Sequence, residues 1–161
     1  PATNTLGGLF LLPAAVTAGE SDYPMFAWLN PASTVAIQGK TFHCTGIIVG
    51  DAVVTTALTG GGIGLHWAVG FGSTAASLVT AESASFANGT TKIARKLPLG
   101  VVQWFAATAA VGATALGRQI TFPTSLAVNP GEYLHVIMRA IGTSLTVGGI
   151  RGSIAVLGYF E

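Results

Sequence analysis

Three histidines, six carboxylates and one thiol of this 161-residue chain are the first candidates for acid–base or metal chemistry. His43, His66 and His135 stand on three separate segments, in "TFHCTG", "LHWAV" and "EYLHVI". A metal site needs three or four donors converging on one point. No His-x-His pair supplies two of them from one strand, so a shared metal would require the fold to gather distant residues. Cys44 has no partner for a disulfide and cannot build a Cys-based zinc site; it reads as a small buried apolar residue. Glu20, Asp22, Asp51, Glu82, Glu132 and Glu161 lie mostly at turns and termini, where solvated caps are ordinary. A glycosidase would hold two such carboxyls across a sugar, and no run of exposed aromatics accompanies them. Trp28, Trp67 and Trp104 suit a core or an interface as well as a ligand platform. No cofactor or metal is expected.

Nucleophilic serine chemistry comes nearest to a motif. Residues 41–58, "TFHCTGIIVGDAVVTTAL", follow the strand–turn–strand frame on which trypsin-like proteases carry a catalytic histidine after Thr-Ala-Ala. The frame lands instead on Thr55-Thr56-Ala57-Leu58. Leucine takes no proton, and a serine nucleophile needs a base within hydrogen-bond reach, itself oriented by an acid. No Gly-Asp-Ser-Gly follows, and no G-x-S-x-G elbow occurs. The stretch therefore reads as a β-hairpin turning at Gly50-Asp51. "GGGIG" (60–64) is no phosphate loop, because no Lys-Ser/Thr follows it. "PGEYLHV" (130–136) has its glycine one place early for the Pro-x-Gly-x-x-His element of cupin metal sites and lacks their His-x-His. The expectation is a protein that is not an enzyme.

Charge is the informative feature of composition. Seven basic and six acidic residues make only 8% of the chain, where a soluble domain of this length carries roughly 40 charges. A monomer of this mass exposes roughly 7,500 Å², so most of that surface would be neutral and apolar, a condition that favours association. Residues 52–81 and 97–117 hold no Asp, Glu, Lys or Arg. Their Gly, Thr and Pro content and the lack of Lys/Arg-rich flanks argue against membrane spans. A net charge of +1, with "KIARK" (92–96) the sole basic cluster, argues against direct nucleic-acid binding. No Lys or Arg precedes "LGGLFLLPAA", so a secretory signal is not expected. Pro1 is the residue left when an initiator methionine is removed, which suits a natural start.

The elements that must position these groups are short β segments split by Gly, Asn and Pro turns. "EYLHVIMRAI" (132–141) alternates Leu134, Val136, Met138 and Ala140 with Tyr133, His135, Ile137 and Arg139, which gives two different faces. His135 is expected on the polar face beside Arg139. "IRGSIAVLGYF" (150–160) alternates too, and the two are expected to pair. Further strands are expected at 33–37, 41–49, 52–58, 65–71, 91–97, 101–106 and 118–128, with Pro123 marking an edge or break. Residues 73–87 and 106–117 read as helical turns or long loops. Eight or nine strands at this spacing predict an all-β single domain, a jelly-roll or related β-sandwich over residues 31–161. Residues 1–30, apolar and interrupted by Pro13 and Pro24, predict an extended N-terminal arm. Leu6, Leu9, Phe10, Leu11, Leu12 and Val16, with Trp28, are its expected interface residues.

"LPLG" (97–100), "VNPGEYLHVIMRAIGT" (128–143) and "GGIRGSIAVLGYFE" (148–161) resemble small β-rich virion proteins of tailed bacteriophages, of the capsid decoration or cement type. The resemblance covers about a third of the chain and rests on strand-and-turn patterns. It implies a trimer seated on the capsid surface, over junctions of the major capsid protein, with no catalytic residues. Three arms bound at once would gain by effective concentration, and attachment with few charges would be little screened by salt. Other readings stay open here: a single-jelly-roll coat protein that builds its own shell, a pilus or adhesin subunit, or a hydrolase with an unfamiliar site.

Overall fold

The computed structural model describes residues 6–11, 22–32, 39–72, 94–143 and 149–161. They form ten strands and no helix: β1 (Leu6–Leu11), β2 (Asp22–Leu29), β3 (Phe42–Val49), β4 (Ala52–Val54), β5 (Ile63–Gly72), β6 (Ala94–Phe105), β7 (Thr114–Ala115), β8 (Arg118–Val128), β9 (Tyr133–Gly142) and β10 (Ile150–Phe160). Every pairing is antiparallel, in two sheets. One sheet joins β7, β4, β10, β3 and β8, with β1 on the other side of β10; the second runs β2–β9–β5–β6. The chain is thus all-β, and its two sheets enclose the core as a β-sandwich.

Period-two patterning decides which residues fill that core. Ile63, Leu65, Trp67 and Val69 of β5 are buried, while His66 between them is exposed. In β3 a register shift between Cys44 and Gly46 resets the alternation, so Phe42, Cys44, Ile47 and Val49 are all buried. Aromatic rings fill both ends of the core. Phe42 lies 5.1 Å from Trp28 and 5.0 Å from Phe160, while Phe10 lies 5.2 Å from Trp67.

Two buried amides tie one sheet to the other. Gln103 of β6 accepts a 2.9 Å hydrogen bond from Trp67 Nε1 and donates to the carbonyls of Gly50 (2.9 Å) and Ala115 (3.2 Å). Asn30, following β2, donates from Nδ2 to the carbonyls of Lys40 and Val128, both at 2.8 Å. Each side chain thereby satisfies backbone groups that would otherwise be stranded where strands bend or end.

Several expectations change. β9 and β10 are not a pair: β9 lies between β2 and β5, and β10 belongs to the opposite sheet. Similar alternation in two strands shows only that each has one buried face, which a sandwich provides on both sheets. The Gly50-Asp51 corner is not a hairpin. β3 and β4 lie along the same side of β10, and Gly50 N–H donates to Ser153 O at 2.8 Å, so one bent strand passes through the corner. The segments expected at 91–97 and 101–106 merge into β6, whose register shift absorbs Pro98. Residues 106–117 hold turns and the two-residue β7. Residues 33–37 and 73–87 lie outside the described residues.

Candidate functional site

The position where a protease-like base would stand is occupied by core. Leu58 is buried and its N–H donates to Ala109 O at 3.0 Å. The nearest approach to a nucleophile constellation is elsewhere, on the outer side of the β3 sheet. There His43 Nδ1 lies 3.2 Å from Ser125 Oγ, its Nε2 lies 3.4 Å from Glu161 Oε2, and its ring stacks on Tyr159 at 5.0 Å and 12°. Ser, His and acid are present, but the acid is largely exposed. In the hydrolase arrangement a buried carboxylate fixes the imidazole tautomer; an exposed one shared with water does not. The cluster reads as a surface stack closing the chain's last residues onto β3.

The other two histidines are remote from it in the pairing. His66 sits between Val102 and Arg139 on the outer face of the second sheet. His135 corrects the sequence expectation: it is only 3% exposed, not on an open polar face with Arg139. Its ring meets Tyr133 edge-on at 5.9 Å, and neither ring nitrogen has a hydrogen-bond partner. Burial lowers its pKa from 6.5, because the charged imidazolium loses its water. Cys44 is buried and burial pushes its thiol up to about 11, which suppresses the reactive thiolate. No group of three potential metal ligands occurs among the described residues, and no helix there is long and apolar enough to cross a membrane.

The surface carries its distinctive features as apolar groups instead. Leu9 is 90% exposed on β1, and Trp104 is 56% exposed on β6 beside Val102. Trp104 lies on a shelf made by the glycines of "GGGIG": a Cβ at Gly64 would come within 2.8 Å of its ring and 2.7 Å of Ile141. The run that failed as a phosphate loop is therefore a seat for an exposed indole. Next to Leu9 a groove of about 500 Å³ is lined by Phe10, Asp51, Val53 and Arg151. Asp51 is already engaged, accepting the Gly117 N–H at 2.7 Å. Gly117 has no room for a side chain, since a Cβ would fall 2.0 Å from Val49 O. That fixes the turn holding the carboxylate.

The expected arm residues divide. Leu6 packs against the core, Phe10 is 5% exposed within it, and Trp28 packs on Phe42 and Phe160. Leu9 faces outward, Leu11 pairs with Arg151, and Leu12 and Val16 lie outside the described residues. Within residues 1–30, β1 pairs with β10 and β2 with β9, so both are strands of the sandwich. Deleting residues 1–20 would remove β1 and its Phe10 anchor, and would test folding and docking together. Sequence reasoning missed the exposed Trp104, whose signal was the glycine run opposite it, and the buried state of His135. No family model matches the chain, and no curated protein matches it in sequence.

Proposed function

We propose that the chain is a non-enzymatic structural protein of a virion, a decoration or cement subunit that trimerises and braces the head shell against the major capsid protein. The observation that carries this reading is the pairing of a charge-poor chain with large exposed apolar side chains, Leu9, Trp104, Val111 and Leu116 among them. Such groups favour burial against partners, at about 25 cal/mol per Å² removed from water, less the cost of association. Several described polar groups have structural occupations: Gln103 and Asn30 link the sheets, and Asp51 holds a turn.

Strand order favours a second reading. If β4 and β7 are taken as continuations of β3 and β8, the sheets run β1–β10–β3–β8 and β2–β9–β5–β6. That order is compatible with two interlocked Greek keys, the jelly roll, which serves shell-building subunits as well as accessory ones. A single-jelly-roll coat protein is the alternative. Expression alone separates the two. A cement protein stops at a small oligomer, well above the 16.3 kDa of one chain, whereas a coat protein closes into particles. Imaging virions with and without the chain then tests the role. Loss of surface density over capsid junctions is expected, and unchanged virions would refute it.

A further inference from the structure

Among the described residues the two open sheets have four outer strands, and an outer strand presents unpaired N–H and C=O groups that template pairing with another chain. Three of these strands carry devices that discourage it. β2 contains Pro24 and a register shift between Pro24 and Phe26. β6 contains Arg95, Lys96 and Pro98, with a shift against β5 between His66 and Ala68. β8 begins with Arg118 and contains Pro123, and its pairing with β3 jumps from Leu126 to Thr121. β1 has none of these. "LGGLFL" holds no charge and no proline, and pairs with β10 in unbroken register from Leu6 to Leu11. Among the described residues β10 is its sole strand partner.

We propose that β1 is a pairing edge whose occupant is β1 of a second copy, joined antiparallel across a twofold axis so that one sheet runs continuously through two molecules. A second copy suits the edge because the strand is neutral, so two like strands meet without repulsion, whereas the other three edges resist any incoming strand. Register follows from faces. A twofold axis normal to the sheet keeps inward residues opposite inward ones, so it must pass through a residue rather than between two. Leu6 and Phe10 point to the core, which leaves Leu9 on the outer face at 90% exposure. An axis at Leu9 sets the two most exposed leucines directly against each other. It also places the second copy's Phe10 opposite Gly8, where a side chain would meet nothing within 4 Å. The contact is distinct from the trimer proposed above and would link two such assemblies.

The axis makes a sharp test. Residues directly opposed across antiparallel strands have Cα atoms about 4.5–5.5 Å apart, within disulfide range. Leu9→Cys should give a covalent dimer under mild oxidation, while Leu116→Cys, exposed but off this edge, should not; Cys44 is buried and silent. Leu9→Lys should lower the sedimenting size of the full chain with the far-ultraviolet circular dichroism unchanged. The proposal is overturned if Leu9→Cys cross-links no faster than Leu116→Cys, or if Leu9→Lys folds and keeps the wild-type size. Should Leu9→Lys fail to fold, the cysteine comparison still decides. If the edge-blocked Leu9→Lys protein assembles in some number other than three while Leu9→Cys pairs form, the trimer is removed and the edge pairing stands.

Discussion

Gln103 and His135 belong to the same sheet, are almost equally hidden from water, and have opposite fates. Gln103 makes three hydrogen bonds that span the sandwich. His135 makes none. Beside it, Ala27 on β2 and Gly70 on β5 are its direct cross-strand neighbours and offer no side-chain acceptor or donor. The contrast shows how this chain, with few polar residues, spends them. A buried amide is kept where strands break and leave carbonyls unpaired, at the Gly50 corner and at β7. A buried imidazole without partners stabilises nothing and depends on staying neutral.

The largest effect should come from breaking the satisfied member. Gln103→Leu preserves bulk but strands the Trp67 indole N–H and the Gly50 and Ala115 carbonyls inside the core. Each stranded group costs about 1–3 kcal/mol, and some will find water, so a loss of about 3 kcal/mol in urea denaturation is expected. A loss within 0.5 kcal/mol would show that the amide is no clamp, and the proposed link between sheets would fail.

Changing the unsatisfied member should do the reverse. Replacing both unpaired nitrogens by carbon, in His135→Leu, should be neutral or stabilise by up to about 1 kcal/mol at pH 7.5. The pH dependence sharpens this. The folded-state pKa of His135 lies below its ordinary 6.5, so as pH falls through about 6.5 the unfolded chain binds a proton that the folded chain refuses. Stability from this residue is complete above that value and is lost on acidification, until the folded site titrates as well. The gap between His135→Leu and wild type should therefore widen from pH 7.5 to pH 5.5. Parallel pH profiles would mean that His135 finds a partner in solution.

The same two residues show how far sequence could go. Alternation in "EYLHVIMRAI" reveals which way His135 points, but not whether that side of the sheet is covered; outward-pointing Ile137 is buried as well. Strand positions such as 118–128 and 150–160 were legible because turn residues bracket continuous apolar alternation. The partners of those strands were not legible, since pairing in a sandwich joins segments far apart in the chain, such as β1 with β10 and β2 with β9. "LGGLFL" is apolar and extended, forming β1. That Phe10 enters the core while Leu9 stays outside depends on its register with β10, which nothing local specifies. Gln103 gave no warning at all, being one amide in an apolar run.

The smallest effect is expected where a cluster resembles chemistry most. Ser125, His43 and Glu161 align through contacts of 3.2 and 3.4 Å, yet the carboxylate is mostly in water. Exposed ion pairs contribute about 0–1 kcal/mol, so Ser125→Ala and Glu161→Gln should each change stability by no more than about 0.5 kcal/mol. If the trio is only a surface stack, neither substitution changes capsid attachment or the rate at which an activated ester is hydrolysed in the protein's presence. A Ser125→Ala variant that lost a measurable esterase rate would overturn that reading. It would place function in the one polar row that the comparison of Gln103 with His135 leaves idle.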